Sequence, residues 1–169
     1  MPAPNHALST SLVCYLMLRT DLKSLGRGKA YAHAMHAGNQ LTYQLLVAPL
    51  MEDREIDQNI HTWHKEGAGF GTTIALGKEG EMDLDTVRSI TQGAEKLGIP
   101  SGLVVDPEYP YYVDAEILDL IHPEAHTKAP TPAGKGYICY RKETTAGWII
   151  GMKDEMSFFM SQFGLTPND

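Results

Sequence analysis

The chain has 169 residues, 43% of them hydrophobic, which suits one domain with a real core and excludes a disordered chain. A net charge of −7 argues against indiscriminate nucleic-acid binding, and no apolar run reaches the roughly 18 residues that a membrane span needs. The opening stretch MPAPNHALST shows no basic region followed by an apolar one, so no secretory signal is read. With two cysteines, Cys14 and Cys139, the expectation is a cytoplasmic protein without a disulfide.

Residues 1–10 are polar and contain proline, the composition of a poorly ordered leader. LVCYLML, residues 12–18, is short and continuously apolar, as in a strand covered on both faces. A charged turn with Gly26 and Gly28 follows. From Lys29 the positions Ala30, Ala34, Ala37, Leu41 and Leu45 recur at helical spacing and form one apolar stripe. That helix is expected to end near Ala48, before Pro49. Residues 50–66 predict a second, more polar helix with Leu50, Ile56, Ile60 and Trp63 on its buried edge.

Residues 70–76 (FGTTIAL) predict a strand. Asp83 is placed to cap a third helix carried by Leu84, Val87, Ile90, Ala94 and Leu97, closed by Gly98. Residues 102–105 predict a strand ending on Asp106. Residues 107–143 then lose periodicity and turn rich in proline, tyrosine and histidine, the mark of an insertion or functional loop, with short strands or a hairpin allowed within it. TAGWIIG (145–151) returns to a strand, and residues 153–163 predict a last helix with Met156, Phe159, Met160 and Phe163 on one side. The order β-α-α-β-α-β-insert-β-α implies an α/β fold, a three-layer α/β/α sandwich around a four-stranded mixed sheet. Ligands in such sheets sit off the carboxyl ends of strands, here at residues 19–29 and at Asp106.

The basic residues are unevenly spread. Residues 19–29 hold Arg19, Lys23, Arg27 and Lys29 against one acid, Asp21, and residues 125–142 hold Lys128, Lys135, Arg141 and Lys142 against none. Clustered charge is ordinarily solvated surface; it is also what a phosphate-binding face needs. A turn with glycine feeding a helix N-terminus favours anions, with Lys29 at its mouth. A nucleotide-binding P-loop is excluded, because Ala30 stands where a serine or threonine must hold magnesium.

Lys29, His33, His36 and Gln40 form a polar stripe beside the apolar one. It reads as a solvated helix face or as catalytic groups able to stabilise an oxyanion or activate water. His33/His36 and His61/His64 are each spaced to ligate zinc. No acid stands at a matching spacing, so neither a metal nor another cofactor is expected.

The run RTDLKSLGRGKAYAHAMHAG resembles the opening motif of the peptidyl-tRNA hydrolase 2 family, R-x-D-L-K-M-x-x-G-K-x-A-A-Q-x-x-H-A. Arg19, Asp21, Leu22, Lys23, Gly28, Lys29, Ala32, His36 and Ala37 carry the likeness. AEKLGIPSGLVVD (94–106) is similar to the family's segment ending on a functional aspartate, and GWIIGMKDEM to its last strand and helix. The resemblance implies metal-independent cleavage of the ester joining peptide to tRNA by a homodimer in the cytoplasm. It implies that Lys29 stabilises the oxyanion or holds the tRNA end. Asp106 would orient or deprotonate water, or fix a neighbouring side chain. His36 would shape the pocket or support the catalytic network, and Arg19, Lys23 and Arg27 would contact phosphates beside Asp21.

This sequence departs from the pattern at three places. His33 replaces the family's glutamine, residues 107–143 replace the segment after the aspartate, and the family's threonine corresponds to Thr144 or Thr145. Two other functions fit the same residues: a ligand- or partner-binding module without catalysis, and a hydrolase of small acyl esters.

Overall fold

A computed structural model describes residues 12–22, 27–66, 71–114, 127–130, 136–161 and 164. The expected leader lies outside them. Strand β1 (Leu12–Leu18) is paired on both sides: β2 (Thr73–Leu76) runs parallel to it and β5 (Gly136–Met152) antiparallel. β3 (Ser101–Asp114) pairs with β5 on its other side, giving the mixed order β2-β1-β5-β3. A fifth short strand, β4 (Thr127–Pro130), pairs with residues 137–140 of β5, beyond the stretch that β1 covers. The fold is α/β.

Alternation in β1 sorts the core. Val13, Tyr15 and Met17 pack with Val87, Ile90, Ala94, Met156 and Met160 from helices α4 (Leu84–Lys96) and α5 (Lys153–Met160). Cys14, Leu16 and Leu18 pack with Ala37 and Leu41 of helix α1 (Arg27–Thr42) and with Ile60 and Trp63 of helix α3 (Gln58–Glu66). A continuously apolar strand results because helices cover both its faces.

The apolar stripe of α1 faces this second cluster as its spacing predicts. The helix does not stop before Pro49. It continues through a π-helical stretch, Tyr43–Val47, into a last turn α2 (Ala48–Met51), where Pro49 is buried. A π turn changes the hydrogen-bond partners just ahead of the proline, which lacks an N–H and would clash in a regular helix. Leu50 is consequently exposed, on α2 and not on the second helix, while Ile60 and Trp63 are buried. Asp83 caps α4 by accepting the Thr86 N–H at 2.8 Å, and Gly98 follows at φ +72°. Leu97 falls past the helix end and is exposed.

The largest difference lies after Asp106. Residues 107–114 continue β3, and residues 136–144 begin β5, so much of the expected insertion is an outward extension of two sheet strands. Pro107 and Pro110 read as loop residues, but β3 is an edge of the sheet order and its register shifts between Asp106 and Tyr109. Edge strands and bulges are where a residue without a backbone donor is tolerated.

Candidate active site

Two elements build the site. α1 supplies Lys29, His33 and His36 from successive turns, and the irregular stretch of β3 supplies Asp106, Tyr109 and the Pro110 carbonyl. The Asp106 carboxylate accepts the Glu108 N–H at 2.9 Å, so the aspartate shapes the bulge by a local side-chain turn as well as facing the helix. That turn delivers Tyr109 inward, where it is 2% exposed.

The Tyr109 ring is the floor. His33 stacks on it with centroids 5.6 Å apart and planes at 30°, and the Lys29 Nζ lies 4.9 Å from its centroid. Lys29 also donates to the Pro110 carbonyl at 3.0 Å. Burial pushes the Lys29 ammonium below its ordinary value, and the Asp106 charge opposes part of that shift.

His33 is buried to 3% exposure, and among the described residues neither ring nitrogen has a hydrogen-bond partner. Its pKa is lowered by burial, partly offset by Asp106 and lowered further by His36 and Lys29, so the ring is neutral at physiological pH. His36 meets it edge-on at 5.9 Å and is itself exposed. One nitrogen of each imidazole and one Asp106 oxygen lie within 4.8 Å of one another. The acid missing from the local spacing is therefore supplied by the sheet.

The other expected site residues divide. Arg19 is 5% exposed and committed internally. It donates to both Asp21 oxygens at 2.8 and 2.6 Å, to Glu143 at 2.5 Å and to the Thr144 carbonyl at 2.7 Å. Four of its five N–H donors are taken, and it ties the end of β1 to β5. Asp21 is a partner in that tie, and its pKa is lowered by the Arg19 hydrogen bond. Thr144 and Thr145 are buried on β5. Thr144 is paired in register with Val105, and the Thr145 hydroxyl is 3.4 Å from the Val104 carbonyl. Lys23 and the Arg27 side chain lie outside the described residues.

In the second basic cluster, Arg141 pairs with Glu143 at 2.5 Å and lies over Tyr111, while Lys142 is exposed. Lys135 and the Lys128 side chain fall outside the description. Gln40, the last member of the polar stripe, is a brace: it donates to the Leu103 carbonyl at 2.9 Å and accepts from the Trp148 indole at 3.1 Å. The stripe thus faces the β3–β5 edge, and His36 is its exposed member. Local sequence carries no signal for Tyr109 or the Pro110 carbonyl, because both sit in the stretch 107–143 that lacks periodicity.

A pocket of about 360 Å³ opens between α1, α3 and β1, with Cys14, Leu16, Ala34, Trp63, Thr73 and Trp148 in its lining. Lys29, His33, His36 and Asp106 take no part in it. The polar cluster is the candidate site, because among the described residues the pocket offers no comparable meeting of an ammonium, imidazoles and a carboxylate.

The chain matches no family model, no curated protein and no solved structure. Among the described residues no helix is long and apolar enough to cross a membrane.

Proposed function

We propose that the chain is a peptidyl-tRNA-hydrolase-2-like esterase, cleaving the ester between a peptide and tRNA without a metal. The supporting observation is that Asp106 meets the polar stripe of α1, bringing a carboxylate beside two imidazoles and within electrostatic reach of Lys29. In this reading Asp106 holds and polarises a water, with the neutral His33 ring beside it. The water oxygen bonds to the ester carbonyl carbon, and Lys29 steadies the negative charge that develops on the carbonyl oxygen or grips the tRNA end. Collapse breaks the bond to the terminal ribose oxygen, which leaves as a hydroxyl with the proton taken from water. The exposed His36 stands at the rim. The reading carries with it tRNA as partner, a cytoplasmic site of action and a homodimer.

Replacing Lys29 with alanine tests it. Release of labelled peptide from tRNA should fall by roughly a hundredfold or more, the scale of one lost oxyanion donor, with the unfolding curve preserved. Unchanged turnover sinks the assignment.

A binding module without catalysis is favoured by one feature: Lys29 already rests on the Pro110 carbonyl and Tyr109. Retarded tRNA migration without any peptide release would select that reading. Cleavage of simple aryl esters with indifference to peptidyl-tRNA would select a small-ester hydrolase.

A further inference from the structure

We propose that His33, His36 and Asp106 form a mononuclear site for a divalent transition ion of the zinc class. The site stands on geometry and does not depend on the esterase reading.

The donor set is the first argument. Two imidazoles and one carboxylate are borderline ligands that suit zinc and its neighbours over magnesium or calcium, which prefer all-oxygen shells. Three protein ligands also leave one tetrahedral position open, the composition of a reactive site rather than a closed structural one.

Geometry is the second. Ligand atoms about 2.0–2.1 Å from a tetrahedral ion stand about 3.3 Å from one another. The three candidate atoms already lie within 4.8 Å, so closing around an ion needs movements of about 1 Å or a little more, given those bond lengths. The movement has an obvious source. His33 is clamped against Tyr109 and Asp106 is held by the Glu108 N–H, whereas His36 is exposed on α1 and can swing inward.

The third argument is independent of the cluster itself. His33 is almost wholly buried, yet among the described residues neither nitrogen has a partner. Buried polar atoms without partners are rare and costly. A metal on one nitrogen satisfies the ring in the neutral form that burial already imposes, and the lone pair it needs is free.

Lys29 is the opposing term, a positive group on the same helix. It is drawn toward the Pro110 carbonyl and the face of Tyr109, and the Asp106 carboxylate counters its charge. Asp106 cannot serve an ion and a metal-free water at once. The two readings therefore describe alternative states of one cleft, and binding is measured without tRNA.

Titration of the full chain with zinc chloride, followed by calorimetry, should give one ion per chain. Cobalt(II) at the same stoichiometry should show the visible bands of four- or five-coordinate nitrogen–oxygen ligation. His36→Ala, at an exposed position, and Asp106→Asn should each weaken zinc binding by roughly tenfold or more. His33→Ala should do the same, but it opens the core, so the other two variants carry the decision. The doubly substituted chain His61→Ala, His64→Ala should bind as the parent does. The proposal is overturned if no stoichiometric binding is found, if His36→Ala and Asp106→Asn both bind normally, or if the His61/His64 variant loses the ion. None of these results bears on peptide release in the presence of a chelator, which tests the esterase separately.

Discussion

Arg19→Met separates an internal brace from a phosphate contact. The Arg19 side chain is 6% exposed and that of Glu143 10%, so their 2.5 Å pair sits in a poorly screened environment. Removing one partner of a buried pair typically costs about 3–5 kcal/mol, because the other charge stays behind. Two features lower that here. Glu143 keeps Arg141 as a partner, and Asp21, with its side chain 40% exposed, is largely rehydrated by water and contributes little. The lost hydrogen bond to the buried Thr144 carbonyl adds about 1–3 kcal/mol of unsatisfied acceptor, and the methionine returns some apolar burial. A net loss of about 2–4 kcal/mol follows, or roughly 4–16 °C in Tm for a chain of this size.

Urea unfolding followed by the fluorescence of the buried Trp63 and Trp148 reads this directly. The sign with pH is also fixed. Asp21 is held below its usual 3.8 by Arg19, so its contribution is present above that value and disappears as pH falls through the lowered folded-state value. Because Asp21 contributes little, the gap between Arg19→Met and the parent should narrow only slightly in acid below about pH 4. An unfolding midpoint equal to the parent's, together with weaker tRNA binding and a smaller salt dependence, would refute the brace.

Two other outcomes test the packing behind the site. Gly102→Ala should destabilise by about 1–3 kcal/mol, since a Cβ there would stand 2.8 Å from the Trp148 indole that Gln40 holds; a midpoint matching the parent's in the same urea experiment would show that the indole moves freely. Cys14 is buried and its thiol is pushed up to about 12, and Cys139 is fully buried. Both should therefore react with Ellman's reagent only as fast as the chain opens, and rapid native-state labelling of either would contradict the buried positions.

What could be read without coordinates is what local periodicity encodes. The apolar run of β1, the alanine–leucine stripe of α1 and the Asp83 cap each depend on residues within a few positions of one another, and all three stand where expected. Misreadings arose where a distant strand decides. Pro107 and Pro110 signal a loop unless the strand is an edge with a bulge, and only the pairing of β3 with β5 supplies that context. Arg19 looks like part of a basic face because Glu143, which neutralises it, lies far along the chain. The acid nearest the His33/His36 pair is invisible to local spacing for the same reason: Asp106 arrives on another strand. Gln40 is polar and periodic with Lys29, and nothing local says that its amide bridges Leu103 and Trp148. The candidate site is a long-range object, and only the strand-end rule for α/β sheets, together with the resemblance, points to Lys29 and Asp106 at once.

The proposed esterase requires that Lys29 and Asp106 serve one reacting centre. Single-turnover release of peptide from tRNA, measured in chelator for the parent, Lys29→Ala, Asp106→Asn and the double variant, tests it most directly. Groups acting as a unit are non-additive, so the double variant should be no slower than the slower single one. Losses that multiply, or a parent that releases no peptide at all, would contradict a shared centre.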